Sequence, residues 1–162
     1  MLTDRTTAGD AAEVFAMVDA AFADARKPAH FTDYRHCSEC AEHDETLRNR
    51  DRDSLQISDV NNPGWDPLCF CTPEGKAYYM PTLIRFALTP SESGVDAYWP
   101  QLLFHLESNG PNNDLIRFCT PVQRHAIARF LEYLIKTRPG EIESFNYSDE
   151  ILRTHGYWAE PA

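Results

Sequence analysis

Apolar residues recur at three- and four-residue spacing in several stretches of this chain, as they do on the buried face of an α-helix. The clearest stretch follows Thr120, because Thr120, Pro121 and Gln123 stand in the order of an N-cap, a first-turn proline and a capping-box partner. The pattern predicts one continuous helix over residues 121–137. The apolar positions are Val122, Ala126, Ile127, Phe130, Leu131, Leu134 and Ile135, and we expect Phe130, Leu131 and Leu134 to be buried.

Weaker periodic stretches predict further helices near residues 11–26, over 38–50 and 81–88, from 96 to 106, and over 148–155. Their ends are inferred from local signals, which are a capping box of Asp10 and Glu13, Pro28 as a stop, Asp96 as an N-cap and Gly156 as a C-terminal stop. Gly75 and Pro81 interrupt the apolar run before residue 88, so the helix there is expected to begin only at Pro81.

No pair of alternating strand-like segments and no repeat is visible in the sequence. The expected fold is therefore all-α, with about five to seven helices and little or no sheet. A chain of 162 residues fits one domain, so we expect a single globular domain over residues 1–162 with an ordered core of about 10–158. The dipeptides Asp66-Pro67 and Thr72-Pro73 each resemble an N-cap followed by a first-turn proline.

Composition and charge exclude several classes of protein. Hydrophobic residues make up 43% of the chain, which argues against general disorder. The formal net charge of −10 argues against a nucleic-acid partner, since phosphate binding requires clustered Lys and Arg. No secretory signal and no apolar run near the ~18 residues of a membrane span is present, so a cytoplasmic location is expected. The five cysteines are an odd number, which favours free or metal-bound thiols over a disulfide framework.

The segment from His36 to Glu45, H-C-S-E-C-A-E-H-D-E, carries the densest chemistry in the chain. Cys37 and Cys40 have the C-x2-C spacing that lets two thiolates share one metal ion, and His36 and His43 flank them. Zinc takes four thiolate, imidazole or carboxylate ligands. We therefore predict a candidate zinc site in which His36, Cys37, Cys40 and His43 supply at least two ligands and His30 or Cys69 completes the set.

Two other interpretations of this segment stay open. The cysteines are also consistent with small buried side chains next to hydrogen-bonded histidines. A redox dithiol, or an enzyme in which Cys40 is the nucleophile beside His36 or His43, is a further alternative. No zinc-protease, serine-hydrolase, phosphate-loop or dinucleotide-binding motif accompanies the block, so we expect a protein that is not an enzyme.

The helix predicted after Cys37 is unusually polar, since Leu47 is almost its only large aliphatic residue. Contacts other than ordinary hydrophobic burial must therefore hold it in place. The charges alternating over residues 48–53 predict a solvated helix end. The acidic residues crowded on this helix and after it are Glu39, Glu42, Glu45 and Asp51. They predict a surface for a basic protein partner, of the kind that an immunity or antitoxin-like protein binds.

Four segments together resemble a family of small uncharacterised bacterial proteins. They are H-F-x-D-Y-x-H-C-x-E-C-x-E-H-D-E (30–45), P-G-W-D-P (63–67), P-E-G-x-x-Y-Y-x-P (73–81) and Y-W-x-Q-L-L-F-H-L (98–106). The resemblance covers about residues 10–140 and implies a compact domain. It brings no known activity, and therefore no catalytic residues, to this chain.

Overall fold

The computed structural model describes residues 2–90 and 97–160, with side chains described from residue 9 onward. Within these ranges the chain forms nine α-helices and no strand, which confirms the all-α prediction. The helices are α1 (Leu2–Ala21), α2 (Ser38–Arg48), α3 (Ile57–Val60), α4 (Pro73–Leu88), α5 (Trp99–Glu107), α6 (Asp114–Phe118), α7 (Pro121–Thr137), α8 (Pro139–Ser144) and α9 (Ser148–Ala159). Short 3-10 helices lie at Pro63–Trp65, Pro67–Phe70 and Gly110–Asn112.

The helix count exceeds the expected five to seven because α3, α6 and α8 have only four, five and six residues. Segments this short do not complete two turns, so they leave no periodic signal in the sequence. The chain divides into two compact units, one formed by residues up to Ala23 and from Leu106 onward, the other by Asp24–His105. One domain over residues 1–162 stays a prediction. In the described part of the chain, no helix has the length and apolar character needed to cross a membrane.

Helix α7 is the centre of the first unit and packs against both α1 and α9. It starts and ends as predicted, and its capping box is present: the amide of Gln123 donates to Thr120 Oγ1 at 3.2 Å, and the Thr120 amide donates to Gln123 Oε1 at 2.9 Å. Phe130, Leu131 and Leu134 are buried as expected, each at most 1% exposed. Local capping and periodicity thus specified this helix completely.

Three helix ends in this unit were predicted wrongly. Helix α1 already begins at Leu2, so Asp10 and Glu13 lie inside the helix rather than capping it, and it ends at Ala21, short of residue 26. Helix α9 continues through Gly156, although a helical glycine costs about 1 kcal/mol. The helix continues because Trp158, two residues after Gly156, stabilises its last turn. Trp158 is 1% exposed, and its indole nitrogen donates to the Leu106 carbonyl at 3.0 Å.

In the second unit, helix α4 begins eight residues earlier than predicted, at Pro73, and contains Pro81 in its interior. Its N-cap is Thr72, whose hydroxyl accepts a hydrogen bond from the amide of Gly75 at 3.2 Å. Gly75 does not break the helix. The ring of Phe31 packs so closely against this position that a Cβ would lie 2.7 Å from it, so a residue without a side chain is needed here. The helix continues through Pro81 because the burial of ten residues of α4 stabilises it by more than the loss of one backbone hydrogen bond at the proline destabilises it.

Three further predictions for this unit have different outcomes. Residues 48–53 are a solvated helix end only in part. Helix α2 ends at Arg48, and the exposed residues are Arg48, Asn49, Asp51 and Asp53. However, Arg50 pairs with Asp59 at 3.1 Å, and Arg52 donates to the carbonyl of Tyr78 at 2.5 Å. The N-cap role of Asp66 is confirmed, since its carboxylate accepts the amide of Leu68 at 2.9 Å. The predicted cap of α5 at Asp96 lies outside the described residues.

We predict that Leu131→Ala lowers the free energy of unfolding by about 2–5 kcal/mol, as truncation of a fully buried leucine does. The matched control on the same helix is Val122→Ala, because Val122 is 65% exposed, and it should change stability by less than about 0.5 kcal/mol. Urea denaturation followed by circular dichroism measures both. Equal losses in the two variants would contradict the assigned buried face of α7.

Candidate metal centre

The candidate site sits at the start of α2, and the carboxylate of Asp44 fixes the position of this helix. Asp44 is 2% exposed. One of its oxygens accepts the amides of Phe31 at 2.6 Å and Thr32 at 3.2 Å, and the other lies 2.7 Å from His30 Nδ1. The helix is thereby tied to the segment that leads into the site, and Phe31 anchors that segment in the core at 0% exposure.

The ionised form of Asp44 is favoured in the folded protein. Burial is the largest single influence and opposes ionisation, but the bonds from His30 and from the amides of Phe31 and Thr32 outweigh it. The pKa of Asp44 is therefore lower than its ordinary value. A buried carboxylate that accepts three hydrogen bonds is satisfied, so it stabilises the docking of a polar helix that has few apolar residues.

The other end of α2 is also held by hydrogen bonds to its last carbonyl groups. The hydroxyl of Tyr79 lies 2.6 Å from the carbonyl oxygen of Leu47 and 2.8 Å from that of Arg50. The ammonium of Lys27 donates to the carbonyls of Arg48 at 2.9 Å and Arg50 at 2.6 Å. These contacts satisfy carbonyls that a helix end leaves without partners. Together with the fully buried Leu47, they explain how so polar a helix packs.

His36, Cys37 and Cys40 come together at the N-terminus of α2, with one donor atom of each within 4.8 Å of the others. Cys37 is the N-cap, and its sulfur accepts the Cys40 amide at 3.4 Å. The Cys40 sulfur lies 3.8 Å from His36 Nδ1. Cys37 and His36 are exposed, whereas Cys40 is only 4% exposed. Two sulfurs and one nitrogen thus converge at the surface.

The two thiols of this cluster differ in acidity. The amide of Cys40, His36 and the Cys40 thiol all donate toward the Cys37 sulfur and lower the pKa of Cys37 to about 7. The hydrogen bond with Cys37, followed by burial, raises the pKa of Cys40. The bond to Cys37 and the charge of that thiolate raise the pKa of His36. Cys37 is therefore the thiol that ionises first, at the positive end of a helix.

Three predicted ligands lie outside this cluster. His43 is 0% exposed, and its ring lies 4.6 Å from that of Trp65 and 5.4 Å from that of Phe70, with Nε2 3.3 Å from Glu39. His30 is bonded to Asp44 and stacks on Tyr34 at 4.0 Å. Cys69 belongs to a different group of donors. The six predicted ligands are thus separated by the tertiary structure.

Asp33 is a residue of this site that sequence reasoning missed. Its carbonyl accepts the amide of His36 at 3.0 Å in a tight turn. Its charge raises the pKa of both His36 and Cys40, but Asp33 is not among the residues whose donor atoms lie within 4.8 Å of one another. The signal was available, because an acidic residue three positions before His36 belongs to the same turn.

A second group of three donors consists of Asp66, Cys69 and His105, again with one atom of each within 4.8 Å of the others. Asp66 and His105 are buried at 4% and 3% exposure, and Asp66 Oδ2 lies 2.6 Å from His105 Nε2. The same oxygen accepts a hydrogen bond from the Gln101 amide group at 2.8 Å. Nothing in the sequence connects residues 39 positions apart, so only the fold brings this group together.

The hydroxyl of Tyr98 adjoins this second group. The pKa of Tyr98 is raised well above its ordinary value. Burial is the main cause, and the charges of Asp66 and Cys69 add to it. Burial followed by the charge of Asp66 also raises the pKa of Cys69. Despite the burial of Tyr98 at 2% exposure, its hydroxyl has no hydrogen-bond partner among the described residues. A buried hydroxyl in this condition is uncommon in folded proteins.

The four acidic residues predicted to bind a partner fall into two pairs. Glu42 and Glu45 are exposed on the outward face of α2. Glu39 is half-buried and paired with His43 at 3.3 Å. Asp51 is exposed, but its carboxylate accepts two backbone amides of its own turn, both at 2.9 Å. Only the first pair projects from the helix without a role in local structure.

The fold and the first cluster define an all-helical protein that presents two thiols and an imidazole at the start of a helix. Residues 10–162 match the family of unknown function DUF6714, and the chain belongs to this family. An uncharacterised family was expected for about residues 10–140, and the match extends that range to residue 162. No curated protein and no solved structure matches the chain significantly.

We predict that Asp44→Asn lowers the free energy of unfolding by about 1.5–3 kcal/mol at pH 7, since it removes a charged acceptor of three buried hydrogen bonds. The folded pKa of Asp44 is depressed, so its contribution is complete above the unfolded pKa of about 3.9 and is lost as the pH falls through the lower folded pKa. The stability difference between wild type and variant should therefore shrink below about pH 4.

Denaturant titrations at several pH values measure this difference. Glu42→Gln is the control, because Glu42 is an exposed carboxylate on the same helix, and it should leave stability within about 0.5 kcal/mol. A difference between wild type and Asp44→Asn that stays constant from pH 7 to pH 3 would contradict the role given to the ionised carboxylate.

Proposed function

We propose that this protein is a zinc-binding domain in which His36, Cys37 and Cys40 hold one Zn²⁺ ion at the start of α2. The observation that carries the proposal is the convergence of one nitrogen and two sulfurs within 4.8 Å at a single helix terminus. Thiolate and imidazole together are typical zinc ligands, whereas calcium and magnesium prefer oxygen. The two sulfurs distinguish this set from an ordinary surface histidine with nearby acids.

Asp33 is the fourth ligand in this proposal. A structural zinc site has four protein ligands, and carboxylates serve in this position. Asp33 shares a turn with His36, whose amide donates to the Asp33 carbonyl at 3.0 Å. The Asp33 carboxylate lies outside the group of three donors, so it moves closer to them when the ion binds. All four ligands then come from one eight-residue segment, the turn before α2 and the first turn of the helix.

The proposed ion has a structural role. Asp44 and the Tyr79 hydroxyl already hold the middle and the end of α2, while the exposed turn from Asp33 to Cys37 has few buried contacts of its own. An ion bound there fastens this turn to the helix. Because such an ion binds only the folded state, it stabilises the protein by mass action, by about 2.7 kcal/mol when free zinc is 100 times Kd.

We predict that the protein purified without a His-tag contains one equivalent of zinc at this site, and that a chelator lowers its melting temperature. Cys37→Ser and Cys40→Ser should each remove this ion, because a hydroxyl is a poor substitute for a thiolate ligand. The control is His125→Gln, which removes an exposed histidine remote from the cluster in sequence and should retain the metal. Elemental analysis and native mass spectrometry give the content.

A reversible dithiol is the competing chemistry for the same two cysteines. An exposed N-cap thiol with a buried second thiol one turn later also suits disulfide formation. Protein that contains no zinc, shows no change in melting temperature with chelator and forms a Cys37–Cys40 disulfide in a glutathione buffer would overturn the zinc proposal in favour of the dithiol.

A second candidate function is binding of a basic protein partner, in the manner of an immunity or antitoxin-like protein. The observation in its favour is the exposure of Glu42 and Glu45 side by side on α2, on a chain with a net charge of −10. Exposed carboxylates steer association with a basic surface and contribute less to the lifetime of the complex.

For this candidate we predict that Glu42→Lys with Glu45→Lys slows association with a partner recovered from the native host, without unfolding the protein. The effect should weaken between 0.01 M and 0.15 M salt, where the Debye length falls from about 30 Å to about 8 Å. The control is Glu143→Lys with Asp149→Lys, two exposed acids elsewhere. Surface plasmon resonance at both salt concentrations measures the rates, and equal slowing by both double variants would refute a specific role for α2.

A further inference from the structure

The second donor group, formed by Asp66, Cys69 and His105, has the composition of a metal site but shares no residue with the first. Its three donors are an oxygen, a sulfur and a nitrogen within 4.8 Å of one another. Two of the three residues are buried, and Cys69 lies at the exposed edge. The group therefore combines a protein-lined interior with a path to solvent.

Ordinary packing accounts for part of this arrangement. Asp66 caps the 3-10 helix Pro67–Phe70 through the amide of Leu68, and its other oxygen binds His105 and Gln101. Packing alone gives no function to the hydroxyl of Tyr98, which is 2% exposed and has no hydrogen-bond partner in the described part of the chain. Leaving a buried hydroxyl unpaired destabilises the folded protein.

Tyr98 lies in the electrostatic surroundings of the same donors. After burial, the charges of Asp66 and Cys69 contribute to the raised pKa of its hydroxyl. A fourth polar atom, buried and without a hydrogen-bond partner among the described residues, is thus influenced by two of the three residues that are metal ligands by type. This is a separate observation from the distances within the group, and it points to the same volume.

We propose that Asp66, Cys69 and His105, with the hydroxyl of Tyr98 beside them, form a second site for a divalent cation of the zinc class. Its oxygen, nitrogen and sulfur donors suit zinc or cobalt(II) and are too few in oxygen for calcium. Gln101 is the supporting residue, since its amide group donates to Asp66 at 2.8 Å and to the carbonyl of Val60 at 2.6 Å. Such outer contacts orient the ligands of a metal.

Binding at this site requires two protons to move. The S–H bond of Cys69 breaks, a bond from its sulfur to the metal forms, and that proton passes to the solvent. The proton between His105 Nε2 and Asp66 Oδ2, which lie 2.6 Å apart, moves to Nδ1 of the same ring or to the solvent, so that Nε2 can bind the ion. The carboxylate of Asp66 is already ionised, because its pairing with His105 and Gln101 outweighs its burial. No electron is transferred, and the ion retains its charge.

The test uses full-length protein carrying Cys37→Ser and Cys40→Ser, so that the first cluster cannot contribute thiolate ligands. This protein is stripped with chelator, kept under a reductant that does not bind metal, and titrated with Zn²⁺ alone and then with Co²⁺ alone. We expect one equivalent to bind, with a cobalt absorption band from a single thiolate. Adding Cys69→Ser should abolish the band and weaken binding at least tenfold, and adding Tyr98→Phe should weaken binding as well.

Cys119→Ala is the matched control, because Cys119 is a buried thiol that belongs to neither group of donors in the described residues. It should leave both the band and the affinity unchanged. The proposal is overturned if the double-serine protein binds neither ion at tens of micromolar, or if the thiolate band survives Cys69→Ser. Cys69 is exposed, so its replacement should not unfold the chain, and a thermal melt verifies this.

The same titration separates this proposal from the proposed function. If only the first site exists, wild type binds one ion and the double-serine protein binds none. If only the second exists, both bind one ion. Two ions in wild type and one in the double-serine protein support both proposals.

Discussion

The buried carboxylate of Asp44 accepts hydrogen bonds from His30 and from the amides of Phe31 and Thr32, and the geometry of the first donor cluster depends on these bonds. They fix the segment entering α2 against the helix itself. The hydroxyl of Thr32 adds a bond to the carbonyl of Cys40 at 2.7 Å. The turn between them must therefore close over a short distance, which brings His36 and Cys37 onto the first turn of the helix.

The start of α2 determines what the two thiols can do. A sulfur at the N-cap accepts a backbone amide that the helix leaves without a partner, and this lowers the free energy of the thiolate. The second cysteine is one turn later on the buried side, where a neutral thiol is favoured. Metal binding and disulfide formation both begin from such an arrangement. The nitrogen of His36 supports the proposal of a metal site, since a disulfide needs no nitrogen ligand.

His43 shows how a residue that looks like a ligand can serve in packing. Its imidazole is fully buried between the rings of Trp65 and Phe70, and its Nδ1 has no hydrogen-bond partner among the described residues. It supplies a contact between α2 and the 3-10 helix Pro67–Phe70. Since Cys69 belongs to that 3-10 helix, the packing of His43 also helps to position the second group of donors.

The sequence by itself determined the elements whose signals are local. The all-α class, the whole of α7 with its capping box, the N-caps Thr72 and Asp66 and the C-x2-C cluster at a helix start all follow from residues within a few positions of one another. Local signals failed where burial outweighed them, as it did for Pro81 inside α4 and for Gly156 inside α9.

Only the tertiary structure decided which polar residues meet. It assigned His30 to Asp44 and His43 to an aromatic contact, although both had the spacing of candidate ligands. It also joined Asp66 to His105, 39 positions away. The physical reason is that a buried polar group is stable only with a partner, and partners distant in sequence are selected by the packing of the whole unit rather than by local spacing.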